Sequence, residues 1–204
     1  MNRNYQKELD RLLQQMEQPQ SLLLHSCCAP CSSYVLEYLS QYLEITVFYY
    51  NPNISPEKEY DYRVEEQKRL IGQLDTKYPV HFIEGTYEPE LFYEMAKGME
   101  DLPEGGERCY HCYEMRLKEA AAIAEKLGMD YFTTTLSISP YKNAKWINEI
   151  GEKLQDQYHV KHLPSDFKKK NGYRRSVELS KIYDLYRQDY CGCIYSKLER
   201  ERQK

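Results

Sequence analysis

Seven cysteines fall into three short groups, and this grouping constrains the fold more than any other feature of the chain. Cysteines that served only as small buried hydrophobic residues would be scattered along the sequence. We therefore expect the chain to fold so that the three groups meet at one site. The groups are Cys27, Cys28 and Cys31; Cys109 and Cys112; and Cys191 and Cys193.

Size and composition predict one globular domain in which thiols stay reduced. The chain has 204 residues, of which 41% are hydrophobic and 29% charged, as in ordinary globular proteins. No apolar run approaches the roughly 18 residues of a membrane span, and the polar N-terminus does not resemble a signal peptide. We therefore expect a cytoplasmic protein without a membrane partner. In that compartment, clustered cysteines indicate metal binding or redox chemistry rather than structural disulfides.

Charge is distributed unevenly over a chain whose net charge is −4. Residues 161–204 hold 12 Lys and Arg against six Asp and Glu, a local charge of +6. This pattern fits a polyanionic partner such as RNA, but an ordinary charged surface helix has the same composition. The candidates for contacts to a phosphate backbone are Lys168–Lys170, Arg174 and Arg175, with a solvated turn as the alternative.

Hydrophobic periodicity predicts regularly alternating strands and helices. The predicted strands are 21–25, 45–50, 80–83, 131–135 and, more weakly, 158–163. The predicted helices are 4–17, a helix with its N-cap at Ser32 or Ser33 running to about 42, 56–74, 88–97, 109–127, 143–154, 174–187 and a basic C-terminal tail. The alternation predicts an α/β fold with a doubly wound, mainly parallel sheet. In such sheets ligands bind beyond the carboxyl ends of the strands, which is where the first cysteine group falls. That turn lacks the usual glycines, so we expect no nucleotide cofactor.

The motif Cys109-x-x-Cys112 can supply two metal ligands, and Cys27 and Cys28 can supply two more. Two cysteines at i and i+3 share one side of a helix start, where exposed N–H groups favour thiolates. Adjacent cysteines diverge, so they suit different irons of a cluster better than one small ion. A [4Fe–4S] cluster is therefore favoured over structural zinc. A redox C-x-x-C pair with unrelated buried cysteines is the alternative.

The remaining cysteines admit more than one interpretation. Cys191 and Cys193 can close a strained, readily reduced disulfide ring, because Gly192 supplies backbone freedom; further metal ligation or idle thiols are the alternatives. Cys31 is either a ligand to a second, mononuclear metal or a spare thiol. His25, which ends a buried strand, is interpreted as a hydrogen-bonded core residue rather than a ligand.

Four motifs follow one another along the chain from about residue 20 to 196. They are His25-x-Cys27-Cys28-Ala29-Pro30-Cys31, Cys109-Tyr110-His111-Cys112-Tyr113-x-x-Arg116-Leu117, Thr133-Thr134-Thr135-Leu136-x-x-Ser139-Pro140-Tyr141-Lys142 and Asp189-Tyr190-Cys191-Gly192-Cys193. In this order they resemble the cobalamin-independent epoxyqueuosine reductases of the QueH type. The resemblance implies a Rossmann-like sheet of the nucleotide-hydrolase-like superfamily and reduction of the epoxide of epoxyqueuosine to queuosine at the wobble position of tRNA.

The resemblance also implies roles for individual residues. Cys27, Cys28, Cys109 and Cys112 would hold the [4Fe–4S] cluster, and Cys191 with Cys193 would be the redox-active pair. The family position matching Cys31 can be an aspartate, which fits a ligand to a second metal ion, iron or zinc. An external electron donor must restore the enzyme, and the candidates for holding the wobble nucleotide are Tyr141, Lys142 and Tyr190.

The residues 1–19 lie outside the resemblance and form a predicted helical extension of a single domain. Two other functions remain open. A zinc-stapled RNA-binding protein without redox activity would be colourless and insensitive to mutation of Cys191. A thiol–disulfide relay resembling the Cys-Cys domains of heterodisulfide reductases fits less well, because here a single Cys-Cys pair stands far before the C-x-x-C motif.

Overall fold

Five strands and eight α-helices alternate along residues 3–202, the part of the chain that the computed structural model describes. The strands are β1 (Gln20–Ser26), β2 (Leu43–Tyr49), β3 (Val80–Glu84), β4 (Tyr131–Thr134) and β5 (Lys161–His162). The helices are α1 (Tyr5–Gln14), α2 (Ala29–Leu39), α3 (Glu57–Gln73), α4 (Pro89–Ala96), α5 (Glu107–Lys126), α6 (Ala144–Gln157), α7 (Gly172–Ile182) and α8 (Ile194–Arg202), with a 3₁₀ turn at Thr135–Ile138. Across residues 3–202, no helix has both the length and the apolar character that a membrane crossing requires.

All strands are parallel and form one sheet in the order β3-β2-β1-β4-β5. Strand β1 is central, and its Leu24 pairs with Val47 of β2 and Thr133 of β4. The chain winds outward from β1 in one direction and then in the other. The switch between β1 and β4 opens a crevice at the carboxyl ends of these strands, where ligands bind in folds of this kind. The predicted α/β fold is thus confirmed.

Helices cover both faces of the sheet, and alternate residues of β1 therefore pack into two separate cores. Leu23 belongs to a core built with α5 and α6. Leu22 and Leu24 belong to a second core, which contains residues of α1 and α2. Strands buried on both faces read as continuous apolar runs, as Leu22–Leu24 do. Because β1 is held from both faces and ends at Ser26, Cys27 lies at the carboxyl edge of the sheet.

The start of α2 differs from the prediction. The helix begins at Ala29 directly after Cys28, rather than after Ser32 or Ser33. Pro30 occupies the first turn, where its fixed φ angle suits a helix and its missing N–H costs nothing. The hydroxyls of Ser32 and Ser33 donate to the carbonyls of Ala29 and Pro30, at 3.1 and 3.0 Å, instead of capping. The first cysteine group therefore sits on a helix N-terminus, not in a preceding loop.

Two other predicted elements are shorter than expected. Strand β5 has two residues, Lys161 and His162, instead of the six from 158 to 163. Helix α7 ends at Ile182 instead of Arg187, because the Leu185 N–H turns back to the Ser180 carbonyl at 2.8 Å and Asp184 adopts a positive φ of 47°. The segment that follows α7 crosses to the edge of the sheet, where Cys191 lines a cavity with the first cysteine group.

Candidate thiol and metal site

Cys27, Cys28 and Cys31 form a compact group at the junction of β1 and α2. Their sulfur atoms all lie within 4.8 Å of one another, and the sulfurs of Cys27 and Cys28 are 3.9 Å apart. Hydrogen bonding with Cys28 and Cys31 holds the pKa of the Cys27 thiol well below its ordinary value, and the charges of Arg116 and Lys142 act in the same direction. Thiolate sulfur is the donor that iron–sulfur clusters and zinc prefer, so this group can hold a soft metal.

Cys109 lies in the first turn of α5, which begins after Gly106, and Cys112 lies in the second turn. The Gly105 N–H approaches the Cys109 sulfur at 3.2 Å. Burial raises the pKa of both thiols, that of Cys112 to about 12, so a metal or a neighbouring cation is needed to hold them as thiolates. Cys109 packs against the same apolar core that contains Cys27 and Cys28. Three of the four cysteines predicted as cluster ligands thus border one core, whereas Cys112 packs in a separate cluster with Phe92 and Cys193. The ligand role of all four stays a prediction.

Cys191 and Cys193 are both free thiols with different surroundings. Cys191 is partly exposed and lines an open cavity of about 260 Å³ together with Cys27, Cys28 and Cys31. It also lines a second, smaller cavity with Cys109, Cys112 and Cys193. All three cysteine groups therefore meet at Cys191.

The loop between these two cysteines is held by its backbone. The Ser55 N–H donates to the Gly192 carbonyl at 2.9 Å. Gly192 has a φ of 125°, a conformation that residues with a side chain rarely adopt. A Cβ there would also lie 3.0 Å from Ile54 and 3.1 Å from the Arg63 guanidinium. Glycine thus lets the backbone pass close to Arg63 of α3.

The three predicted substrate residues all line the 260 Å³ cavity. Tyr141 is 67% exposed at its mouth, with the Arg200 guanidinium 5.9 Å from its ring centre. Tyr190 donates its hydroxyl to the Ser55 carbonyl at 3.1 Å and stacks under Arg63 at 5.4 Å, so its polar end is already engaged. The structure brings these residues to one cavity, and their contact with substrate stays a prediction.

Lys142 is a cation that faces the sulfur of Cys191. Its Nζ lies 3.4 Å from the Cys191 sulfur. Burial lowers the pKa of this ammonium, but the thiols of Cys191, Cys27 and Cys31 and the Tyr113 hydroxyl outweigh burial and raise it well above its ordinary value. The lysine therefore carries its positive charge among the sulfurs.

Arg116 is a second buried cation, to which sequence reasoning assigned no role. The side chain is 1% exposed. Its Nε approaches the His25 ring at 3.3 Å, its Nη2 donates to the Asn51 amide oxygen at 2.5 Å, and its Nη1 lies 3.9 Å from the Cys112 sulfur. Among the described residues these partners include no carboxylate. The one signal in the sequence is its position one helical turn after Cys112.

The histidines beside the cysteines are not arranged as metal ligands. His25 is fully buried, and its ring nitrogens lie 2.8 Å from the Thr134 hydroxyl and 3.0 Å from the Tyr50 carbonyl. Burial lowers its pKa to about 3, so the ring is neutral. It is a hydrogen-bonded strand residue, as interpreted from the sequence. His111 points to Glu107 and Glu114 at the surface.

The basic cluster proposed for phosphate contacts is mostly paired with carboxylates. Lys168 lies 2.7 Å from Asp166, and Arg175 lies 2.6 Å from Glu37. The other ion pairs are Lys170 with Asp10 and Arg174 with Glu178. Exposed ion pairs of this kind are ordinary surface features, so four of these five cations have a structural explanation.

Comparison with known proteins identifies relatives along nearly the whole chain. A family model described as "Epoxyqueuosine reductase QueH" matches residues 22–199. The protein of that name from Streptococcus pyogenes serotype M1 is 46% identical over 205 residues, covering 96% of this chain and 80% of the relative. The Staphylococcus epidermidis protein of the same name is 46% identical and covers 97% and 86%. The Thermotoga maritima protein, again of that name, is 37% identical and covers 88% and 92%.

Proposed function

The chain belongs to the epoxyqueuosine reductase QueH family, and we propose from this membership that it reduces the epoxide of epoxyqueuosine in tRNA to the alkene of queuosine. The reaction consumes two electrons and two protons and releases the oxygen as water. The observation that carries the proposal is the meeting of three thiol groups at Cys191, beside a 260 Å³ cavity that opens to solvent. Thiols supply electrons, and an open cavity admits a substrate from outside.

The donor set fits an iron–sulfur cofactor, for which we propose Cys27, Cys28, Cys109 and Cys112 as the ligands. A [4Fe–4S] cluster, when bound, would supply electrons singly, and a mononuclear iron or zinc ion at Cys31 would supply a Lewis acid. Arg116 supports this assignment from the protein side. An isolated buried guanidinium is costly unless an anion compensates its charge, and the nearest groups that can become anions are the Cys112 and Cys27 thiols.

Cys191 and Cys193 are the proposed redox-active pair. A dithiol that closes to a disulfide releases two electrons and two protons, which matches the requirement of the reaction. Separated by one glycine, the thiols can form a strained disulfide that an external donor reduces easily. We place this chemistry in the cytoplasm, where such donors keep thiols reduced.

The substrate would enter as an unstacked nucleotide at the anticodon. Proteins that recognise single-stranded RNA stack exposed bases on aromatic rings and hold phosphates with arginines. Tyr141 offers an exposed ring at the cavity mouth. Arg200 lines the same cavity, and its Nε is buried without a hydrogen-bond partner among the described residues. A phosphate oxygen of the bound tRNA would satisfy this donor.

The test is anaerobic purification, counting of iron and sulfide, and an assay on tRNA that contains epoxyqueuosine. We expect a brown protein with about four irons and four sulfides that forms queuosine when a reductant is supplied. Cys109→Ser should lose both iron and activity. The control Tyr42→Phe, at the amino end of β2 and away from the site, should keep both. A colourless protein with bound zinc and no activity after anaerobic reconstitution would overturn the proposal and favour the RNA-binding alternative.

A further inference from the structure

The two cysteines of the proposed redox pair are not equivalent. The Cys191 sulfur lies 3.4 Å from the Lys142 Nζ and faces the open cavity. The Cys193 sulfur is buried, lies 3.4 Å from both the N–H and the hydroxyl of Ser196, and does not line the open cavity. A substrate in the cavity can therefore reach only one of the two thiols.

Lys142 is held in place by its own turn. Its N–H donates to the Ser139 carbonyl at 3.2 Å, and its carbonyl accepts from the Lys168 Nζ at 3.5 Å. Lys168 in turn pairs with Asp166 at 2.7 Å. The ammonium of Lys142 is thus directed at Cys191 by a fixed backbone, and no carboxylate of the described residues forms an ion pair with it. An ammonium in this position stabilises the Cys191 thiolate and can give a proton to a developing alkoxide.

We propose that Cys191 is the thiol that attacks the epoxide, that Lys142 protonates the epoxide oxygen, and that Cys193 resolves the resulting thioether. This inference rests on the proposed function. In the first step Cys191 reacts as a thiolate paired with the Lys142 ammonium, and its sulfur forms a C–S bond while one C–O bond breaks. The oxygen takes the proton from Lys142 and becomes a hydroxyl.

In the second step the Cys193 thiol gives its proton to Lys142, which the first step left neutral, and the resulting thiolate attacks the Cys191 sulfur. An S–S bond forms, the C–S bond breaks, and its electron pair becomes the second bond of the alkene as the remaining C–O bond breaks. Hydroxide leaves and becomes water with the proton that Cys193 gave up, delivered through Lys142. Two thiols and an epoxide thus become a disulfide, an alkene and water, with no further reactant needed in a single turnover.

The stereochemistry of epoxide opening agrees with this order. Attack on the side opposite the oxygen leaves sulfur and hydroxyl anti to each other. This is the arrangement from which both groups can depart together to form an alkene. Cys193 does not need to touch the substrate, which is consistent with its burial behind Cys191.

The decisive experiment is a single turnover of reduced protein on tRNA that contains epoxyqueuosine, without added reductant. Wild-type protein should form one queuosine and one Cys191–Cys193 disulfide per active site. Cys193→Ser should accumulate a covalent protein–tRNA adduct at Cys191, seen by gel shift and peptide mass mapping. Cys191→Ser should form neither product nor adduct. Lys142→Met should slow adduct formation in the Cys193→Ser background at least tenfold, and Lys142→Arg should restore part of the rate.

A second measurement needs no variant. Limited alkylation of the reduced native protein with iodoacetamide should label Cys191 at least tenfold faster than Cys193. An active wild-type enzyme whose Cys193→Ser variant is folded yet forms no adduct, or equal labelling of the two thiols, would overturn the inference while the reductase activity stands. Absence of queuosine from the wild-type protein even with added reductant would instead count against the proposed function.

Discussion

The Nη1 of Arg116 lies 3.9 Å from the sulfur of Cys112, one turn earlier in α5. The same guanidinium reaches Asn51, which donates its amide to the Ser26 carbonyl at 2.8 Å. One buried cation therefore joins the start of α5 to the end of β1, where Cys27 follows. Its charge favours the thiolate over the thiol at both places, since a positive charge within a few ångströms stabilises the anionic form.

We expect Arg116→Gln to weaken metal binding and Arg116→Lys to weaken it less. Loss of the cation leaves buried thiolates without compensation, which costs about 3–5 kcal/mol in comparable buried pairs. The protein should hold less iron after anaerobic reconstitution, and the midpoint potential of what remains should fall, because the more negative reduced state loses most stabilisation. Redox titration and iron counting measure both effects. Equal iron content and an unchanged potential in Arg116→Gln would show that the thiolates do not depend on this charge.

Substitution of single cysteines distinguishes the predicted cluster ligands from Cys31. We expect Cys28→Ser and Cys112→Ser to lose the cluster, whereas Cys31→Ser keeps about four irons and loses only an additional metal. The compact grouping of Cys27, Cys28 and Cys31 makes this a sharp test. Iron, zinc and sulfide analysis of the three variants is the measurement. A Cys31→Ser protein without a cluster, alongside a Cys112→Ser protein that retains one, would reassign the ligands to the compact group.

Arg200→Gln should raise the KM for tRNA and leave kcat within about twofold. Its partnerless buried Nε lines the cavity, and a charge-assisted hydrogen bond to phosphate contributes about 1.5–3 kcal/mol, or roughly tenfold to a hundredfold in KM. The salt dependence of binding should also weaken by about one counterion. The control is Arg174→Gln, since Arg174 pairs with Glu178 on an exposed face. A similar change in KM for both variants would argue against a specific contact.

His162 should make the fold sensitive to acid. Its ring is 5% exposed, neither nitrogen has a hydrogen-bond partner among the described residues, and burial lowers its pKa to about 3. An unfolded chain binds this proton near pH 6.5, so the unfolded state gains protons first as pH falls. The free energy of unfolding should therefore decrease from about pH 6.5 toward pH 3.

His162→Leu removes the pH-dependent contribution of this ring to stability. It breaks no hydrogen bond, because the ring nitrogens make none with the described residues. Below pH 6 the slope of stability against pH should fall by up to about 1.4 kcal/mol per pH unit, and at pH 7 stability should stay equal or rise. Urea unfolding of both proteins at pH 7, 6 and 5 provides the comparison, and the cysteine contributions cancel in the difference. Parallel pH profiles for the two proteins would contradict the prediction.

Local sequence was enough to predict the parallel sheet and the approximate extent of most helices. Leu22–Leu24 is an apolar run typical of a buried strand, and the run from Ala120 to Ala124 is typical of a helix. Both patterns depend only on residues that are adjacent in the sequence. Element boundaries were less predictable where a single turn decided them. Pro30 starts α2 at the cysteines, and the bond from Leu185 to Ser180 ends α7 early.

The grouping of the cysteines and the family were also readable from the sequence, because cysteine spacing and motif order are local properties of a chain. Which thiol faces the cavity and which cation faces which thiol were decided only by the tertiary structure. Lys142 and Cys191 are 49 residues apart, and Arg116 and Asn51 are 65 apart. Such pairs meet because separate strands end at the same sheet edge, and side-chain contacts across that edge depend on packing that no stretch of sequence contains by itself.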